Sequence, residues 1–285
     1  MMSETSLTYQ VYVAPIIAMA SDDVPPGQSR STWSPISATL ISGRHDAVLV
    51  DPLMTVEQGM AVADWVSTTG KNLATVYITH GHGDHWFGLS AVRERFPGVR
   101  AVATPAVIEG MRKWSAPEVL QTFWQPRFPG QIPDDNPVAD PLEDPFFELE
   151  GHPLVPVNVG HTDTDDTTVL HVPDIGLVAA GDAVYNGVHQ YLAESDSQGR
   201  HDWLAALGII EGLGPRVVVA GHKRYGRDDN PRTIDETRQY IRDFDRLDQE
   251  TSTAEELYRQ MLAIYPHRVN PDALWLSAQS AKENP

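Results

Sequence analysis

The run Thr79-His80-Gly81-His82-Gly83-Asp84-His85 places four potential metal ligands within six residues. It follows the apolar, β-prone run Leu73-Ala74-Thr75-Val76-Tyr77-Ile78, so a buried strand is expected to end in a tight loop that turns imidazoles and a carboxylate toward one point. Zinc accepts these donor types, and the two glycines let the backbone close around an ion. A histidine-rich surface loop is the bland alternative, but such a loop has no reason to follow a buried strand with H-x-H-x-D-H spacing.

Three later segments repeat the design. Val155-Pro156-Val157-Asn158-Val159-Gly160 ends in His161, Ile175-Gly176-Leu177-Val178-Ala179-Ala180-Gly181 ends in Asp182, and Arg216-Val217-Val218-Val219-Ala220-Gly221 ends in His222. Each time a short β-prone run stops at a glycine and delivers a ligand type at the C-terminal end of a strand, where α/β folds assemble their sites.

Together, H-x-H-x-D-H at 80–85, Gly160-His161, Gly181-Asp182 and Gly221-His222 resemble the metallo-β-lactamase superfamily in type and order, over about residues 35–225. The resemblance implies a four-layer αββα sandwich with two Zn²⁺ per chain at one edge of its sheets. Carried over position by position, His80, His82 and His161 would hold one metal, Asp84, His85 and His222 the other, and Asp182 would bridge them. Asp51, at the end of Ala47-Val48-Leu49-Val50, stands where the family often has a buried supporting Asp, although Pro52 replaces the usual Thr-Gly continuation.

Two zinc ions sharing a water at about 3.5–4 Å separation lower its pKa toward roughly 7, so hydroxide can attack a carbonyl without a serine nucleophile. Asp84 is also a catalytic candidate, because a carboxylate oxygen not bound to metal can hold the hydroxide or pass a proton to the leaving group. Tyr185 resembles the Tyr that follows the bridging Asp in lactone-hydrolysing members, where it donates a hydrogen bond to the substrate carbonyl; packing beneath the site is the alternative. His189 is a candidate for the pocket wall. His45, His152, His171, His201 and His267 have no motif around them and are read as structural.

The elements that must position these residues alternate between strand and helix signals. Thr55-Val56-Glu57-Gln58 reads as a capping box, with Val62, Trp65 and Val66 on one face and Gly70 at the end. Leu89, Val92 and Phe96 share a helical face that Pro97-Gly98 closes, and Trp203, Leu207 and Ile210 mark a helix after Asp202. Strands resume near 150, consistent with two αβ halves. The expected division is a metallo-hydrolase domain over 1–230 and a C-terminal helical extension over 231–285. Within the extension, Ser252-Thr253-Ala254-Glu255 and Asn270-Pro271 start helices, and Leu257, Met261 and Ile264 form a core stripe. The proline-rich segment 115–150, with Phe123, Trp124, Phe128, Phe146 and Phe147, is too aromatic for plain disorder and is a candidate cover over the site.

Composition narrows the function. The 285 residues contain no Cys, so disulfides, thiolate ligands and a thiol nucleophile are excluded. With 39 Asp and Glu against 21 Lys and Arg, the formal net charge is −18, and no Lys or Arg occurs from Phe128 to Gly199. A polyanion would be repelled, which argues against nucleic acid as substrate or partner. Lys223-Arg224 could still catch a single carboxylate. No signal-like or membrane-spanning segment is read from the sequence, so a cytoplasmic enzyme is expected, compatible with a homo-oligomer.

The reading is a zinc-dependent hydrolase that uses a metal-bridging hydroxide on a small neutral ester or lactone. A glyoxalase-II-like thioesterase or a β-lactam hydrolase is the neighbouring alternative, and a mono-iron persulfide dioxygenase-like oxidoreductase is the alternative of a different class. Cys-dependent lactamases lack their ligand here, and di-iron flavoprotein relatives have Glu where this chain has His82.

Overall fold

Two mixed sheets organise the chain, and the computed structural model describes residues 7–283. The first sheet has the order β1 (Thr8–Val13), β4 (Ser37–Ser42), β5 (Asp46–Val50), β6 (Asn72–Tyr77), β7 (Arg100–Ala103) and β8 (Asp140–Pro141). The second runs β14 (Val217–Val219), β12 (Leu177–Ala179), β11 (Thr167–Val172), β10 (His152–Gly160) and β9 (Phe147–Leu149). Two short ribbons, β2 (Ile17–Met19) with β3 (Ser31–Trp33) and β13 (Tyr185–Asn186) with β15 (His222–Lys223), sit outside them.

Period-two alternation within strands that are buried on both faces sets the layers. In β5, Val48 and Val50 face a core shared with Leu170, Val172 and Leu177 of the second sheet. Ala47 and Leu49 face the opposite way, onto Val62 and Val66 of the helix Val56–Thr68 and Leu89 and Val92 of the helix Leu89–Arg95. On the far side of the second sheet, Val178 and Val218 meet Trp203, Leu207 and Ile210 of the helix Ser197–Gly212. Helix, sheet, sheet and helix therefore stack in four layers, as expected of the αββα sandwich.

The helix ends follow local chemistry. Thr55 and Gln58 close a reciprocal capping box, with Gln58 N–H donating to Thr55 Oγ1 at 3.1 Å and Thr55 N–H to Gln58 Oε1 at 3.2 Å. The helix that carries Trp203 begins at Ser197 rather than after Asp202, because Asp196 caps it by accepting from Gly199 N–H at 2.8 Å. Three C-terminal helices, Arg232–Glu250, Ala254–Ile264 and Pro271–Glu283, complete the outer layer. Their Tyr240, Phe244, Leu257, Met261 and Leu274 share one core with Trp203 and Val218, whereas Ile264 of the expected stripe is exposed. Among the described residues, no helix is long and apolar enough to cross a membrane.

Candidate metal centre

The ends of β5 and β6 fix the first ligands. Asp51, in a left-handed conformation (φ 56°), accepts from Thr79 N–H at 2.9 Å and from the Thr79 hydroxyl at 2.7 Å. That hydroxyl has spent its only proton, so at 2.9 Å from His80 Nδ1 it must accept, which puts the His80 proton on Nδ1 and leaves Nε2 with a lone pair. The other histidines also face outer oxygens. His82 Nε2 lies 2.9 Å from Glu194 Oε1, His85 Nδ1 3.3 Å from Asp51 Oδ2, and His222 Nδ1 3.1 Å from the Pro35 carbonyl. The Glu194 and Pro35 oxygens accept, so the His82 and His222 rings turn their other nitrogen inward, and such outer partners are what orient metal-binding histidines; His85 faces Asp51 without closing a hydrogen bond.

The inward atoms fall into two matched groups of buried residues, His80 with His82 and Asp163, and His85 with Asp84 and His222. In the first, Asp163 Oδ2 lies 2.7 Å from His82 Nδ1 and 3.7 Å from His80 Nε2. In the second, His222 Nε2 lies 3.4 Å from Asp84 Oδ2, and Trp33 Nε1–H donates to that same oxygen at 3.0 Å. The His80 and His85 rings approach to 4.4 Å between centroids, so the two groups adjoin. A further grouping, Asp51 with His80 and His85, lies behind them.

Asp182, from the turn after β12, reaches the second group, with Oδ1 3.1 Å from His85 Nε2 and Oδ2 3.0 Å from His222 Nε2. Its position depends on Gly221, where a Cβ would lie 2.3 Å from Asp182 Oδ1. Tyr185 is fully buried and its hydroxyl donates to Asp182 Oδ2 at 2.7 Å. Burial, then the charge of Asp182, push the Tyr185 phenol well above its usual pKa, so it stays a neutral donor.

The electrostatics are those of a cation site. Burial works against the charged forms of His82, His85 and His222, yet neighbouring carboxylates raise all three, His222 to about 9. Burial likewise disfavours the charged forms of Asp163 and Asp182, and the histidines bring both below the usual carboxylate range. His80, where burial prevails, is lowered. Most tellingly, His80 Nε2, His85 Nε2, Asp163 Oδ2 and Asp182 Oδ1 are buried without a hydrogen-bond partner. Buried polar atoms are normally satisfied, and imidazole lone pairs converging with carboxylates fit divalent ions.

Of the residues picked out by sequence, His80, His82, Asp84, His85, Asp182 and His222 come together, and His161 does not. His161 Nδ1 lies 2.7 Å from Asp165 Oδ1, and its Nε2 lies 2.9 Å from Ser195 Oγ, which itself donates to the Thr162 carbonyl. Both ring nitrogens are engaged away from the cluster, and Asp163, two residues on, occupies the inward position. Gly199 permits this placement, since a Cβ there would lie 2.7 Å from His161 Nε2.

The cluster borders a narrow, largely apolar cavity. Trp33, Trp114, Phe123, Trp124 and Tyr191 form its apolar wall, and Glu194, Asn270 and Asp272 its polar one. The segment 115–150 is divided in its role. Phe123 and Trp124, on a π-helical turn Leu120–Trp124, line the cavity. Phe128 packs behind Trp33 at 5.4 Å, Phe147 stacks on Tyr77 at 5.9 Å in the core between the sheets, and Phe146 is exposed.

Other expectations are corrected. Lys223 is tied to Asp229 and Arg224 donates to the His267 carbonyl, and neither lines the cavity. His189 is not at the wall either: it is buried 3.0 Å from Tyr240 Oη, and burial, aided by Arg268, brings its pKa to about 3. Sequence reasoning missed Asp163, Glu194, Trp33, Asn270 and Asp272. Only Asp163 carried a signal, as a second ligand type in the His161-Thr162-Asp163 run.

The chain and its fold have known counterparts. The sequence profile of the metallo-beta-lactamase superfamily matches residues 31–222. A metallo-beta-lactamase family protein from Thermus thermophilus superposes with a TM-score of 0.63 and 23% identity, over 95% of this chain and 91% of that one. The metallo-beta-lactamase from Pontibacter korlensis gives 0.59 and 17%, over 82% and 99%. FIM-1 from Pseudomonas aeruginosa in its mono-zinc form gives 0.55 and 16%, over 84% and 92%. At these identities the structures speak to the fold. No curated protein matches.

Proposed function

The chain belongs to the metallo-beta-lactamase superfamily, and from that premise we propose that it is a binuclear zinc hydrolase of small esters or lactones that carry no anionic group. The observation that carries the reading is the pair of matched, buried ligand groups with unsatisfied inward atoms beside a largely apolar cavity. His80, His82 and Asp163 would hold one metal and Asp84, His85 and His222 the other, with Asp182 between them. Two zinc ions there would supply water of lowered pKa, near roughly 7, and an electrophile for the carbonyl.

The remaining work belongs to the chain's own groups. Asp84, steadied by the Trp33 N–H, takes up the proton that the attacking water loses and delivers it to the leaving oxygen. Tyr185 holds Asp182 through its hydroxyl and stands at the cavity wall, within reach of a substrate carbonyl only if that bond is exchanged. Glu194 keeps the His82 ring aligned, and its second oxygen accepts from the Thr164 hydroxyl at 3.2 Å. The aromatic wall limits water and binds the apolar part of the substrate.

Substrate charge separates this reading from its neighbours. No Lys or Arg lines the cavity, so an anionic tripeptide thioester or a phosphorylated substrate would find no counter-charge from the protein there. The test is turnover of a panel of lactones, esters, thioesters and lactams by protein of known metal content. Lactones or esters without an anionic group should lead the panel, and a thioester or lactam at its head would refute the substrate class.

A further inference from the structure

The polar wall of the cavity has chemistry that ester hydrolysis alone does not require. It is built from β3 and the start of the helix Pro271–Glu283, which brings the C-terminal extension to the site. Asn270 is 5% exposed, its Nδ2 donates to Ser34 Oγ, and its Oδ1 has no partner. Asp272 is 4% exposed and accepts at Oδ2 from Thr32 N–H and hydroxyl at 3.0 and 3.1 Å. Among the described residues no Lys or Arg pairs with it, and beyond the candidate metal ligands Asp84 and Asp182, Glu194 is the other carboxylate lining the cavity.

A buried carboxylate without a cation and a buried acceptor without a donor are both costly. One kind of ligand relieves both, a group that is positively charged and rich in N–H. Trp33, lining the same cavity, suits the same group, since aromatic rings attract cations.

We propose that this wall is a subsite for a protonated amine, so that the substrate is an ester or lactone bearing an ammonium group remote from the scissile bond. The inference rests on the hydrolase reading only in taking the cavity as the substrate's. Binding of benzylammonium and of its neutral counterpart benzyl alcohol to the metal-saturated, full-length protein tests it without turnover. Calorimetry at pH 7 compares the wild type with Asp272→Asn and Asn270→Asp. The second variant keeps a side chain that tolerates the left-handed backbone at that position (φ 60°) and adds a charge.

The wild type should favour benzylammonium by about tenfold or more, the scale of one charge-assisted hydrogen bond. Asp272→Asn should erase that preference while leaving benzyl alcohol unchanged, and Asn270→Asp should enlarge it. Equal affinities in the wild type, or a preference that survives Asp272→Asn, overturns the proposal. Should Asp272→Asn not fold, a preference that fails to grow in Asn270→Asp does so instead. An intact amine preference in a protein that hydrolyses nothing would sink the hydrolase reading and leave the subsite standing.

Discussion

Exchanging the roles of two neighbouring residues gives the sharpest mutational test. Asp163 is fully buried and has its Oδ2 2.7 Å from His82 Nδ1, whereas His161 spends both nitrogens on Asp165 and Ser195. Asp163→Asn keeps the volume and removes the charge. Partners that merely orient a metal-bound histidine are worth about 10–100-fold in affinity. Loss of a ligand should therefore exceed about 100-fold, near 2.7 kcal/mol, enough to strip one of two equivalents during dialysis against a weak chelator. His161→Ala removes two hydrogen bonds, one of them to an Asp165 side chain that is 85% exposed, and should cost about 1–2 kcal/mol of stability. Its metal affinity should stay within about threefold of wild type, well inside the 10–100-fold range of an orienting partner. Metal content by plasma mass spectrometry and chelator-competition titration read both variants. The reverse pattern, His161→Ala losing an equivalent and Asp163→Asn retaining two, would show that the ligand set implied by the sequence resemblance is correct and the inward placement of Asp163 is not functional.

Further outcomes follow from the same geometry. Tyr185→Phe removes the hydroxyl that holds Asp182 and should lower kcat by about tenfold, less than the 10²–10³ of a sole oxyanion donor, with both metal equivalents kept; unchanged kcat would assign Tyr185 to packing. Metal-stripped protein should be most stable near about pH 6.5, because the lowered pKa values of buried His80 and His189 remove stability as pH falls below it. The raised pKa of His222 contributes fully below its unfolded value and is lost as pH climbs through about 9, and the depressed Asp84 and Asp182 contribute only above the ordinary carboxylate pKa. A melting temperature of stripped protein that rises from pH 6.5 to 9.5 would contradict this. Phe123→Ala, at a half-buried wall residue, should raise KM severalfold without changing metal content. Trp124→Ala, at a 1%-exposed residue, should cost about 3–5 kcal/mol of stability, so equal melting temperatures for the two variants would refute the packing described here.

The strands and most ligands were legible because their determinants are local. β6 is an apolar run whose end is marked by the H-x-H-x-D-H turn, and the capping box at Thr55 announces its helix within four residues, whereas the box expected at Ser252 and Glu255 is shifted by one residue to Thr253 and Glu256. The choice between His161 and Asp163 was not local in the same sense. Both are ligand types on one loop, and its path is set by Thr162 N–H donating to the Thr164 carbonyl, by the left-handed Asp166 (φ 58°), and by Ser195 arriving from a distant segment to hold the imidazole outward. Trp33, Asn270 and Asp272 were invisible for a related reason. Nothing near them in sequence marks them as functional, and only the docking of the last helix on β3 brings them to the cavity. The start of the helix at Ser197 was hidden because Gln198 and Gly199 interrupt the apolar periodicity that begins at Trp203.

Central to the account is a hydrolase whose activity depends on metal held by the two buried ligand groups. Its most direct test is one titration: remove metal completely, follow hydrolysis of a lactone or uncharged ester, and add zinc back in fractions of an equivalent. Activity should vanish on removal and return with a break near two equivalents per chain. Hydrolysis that survives complete removal, or a protein that reaches full activity with a single iron and consumes oxygen with a persulfide, would contradict it.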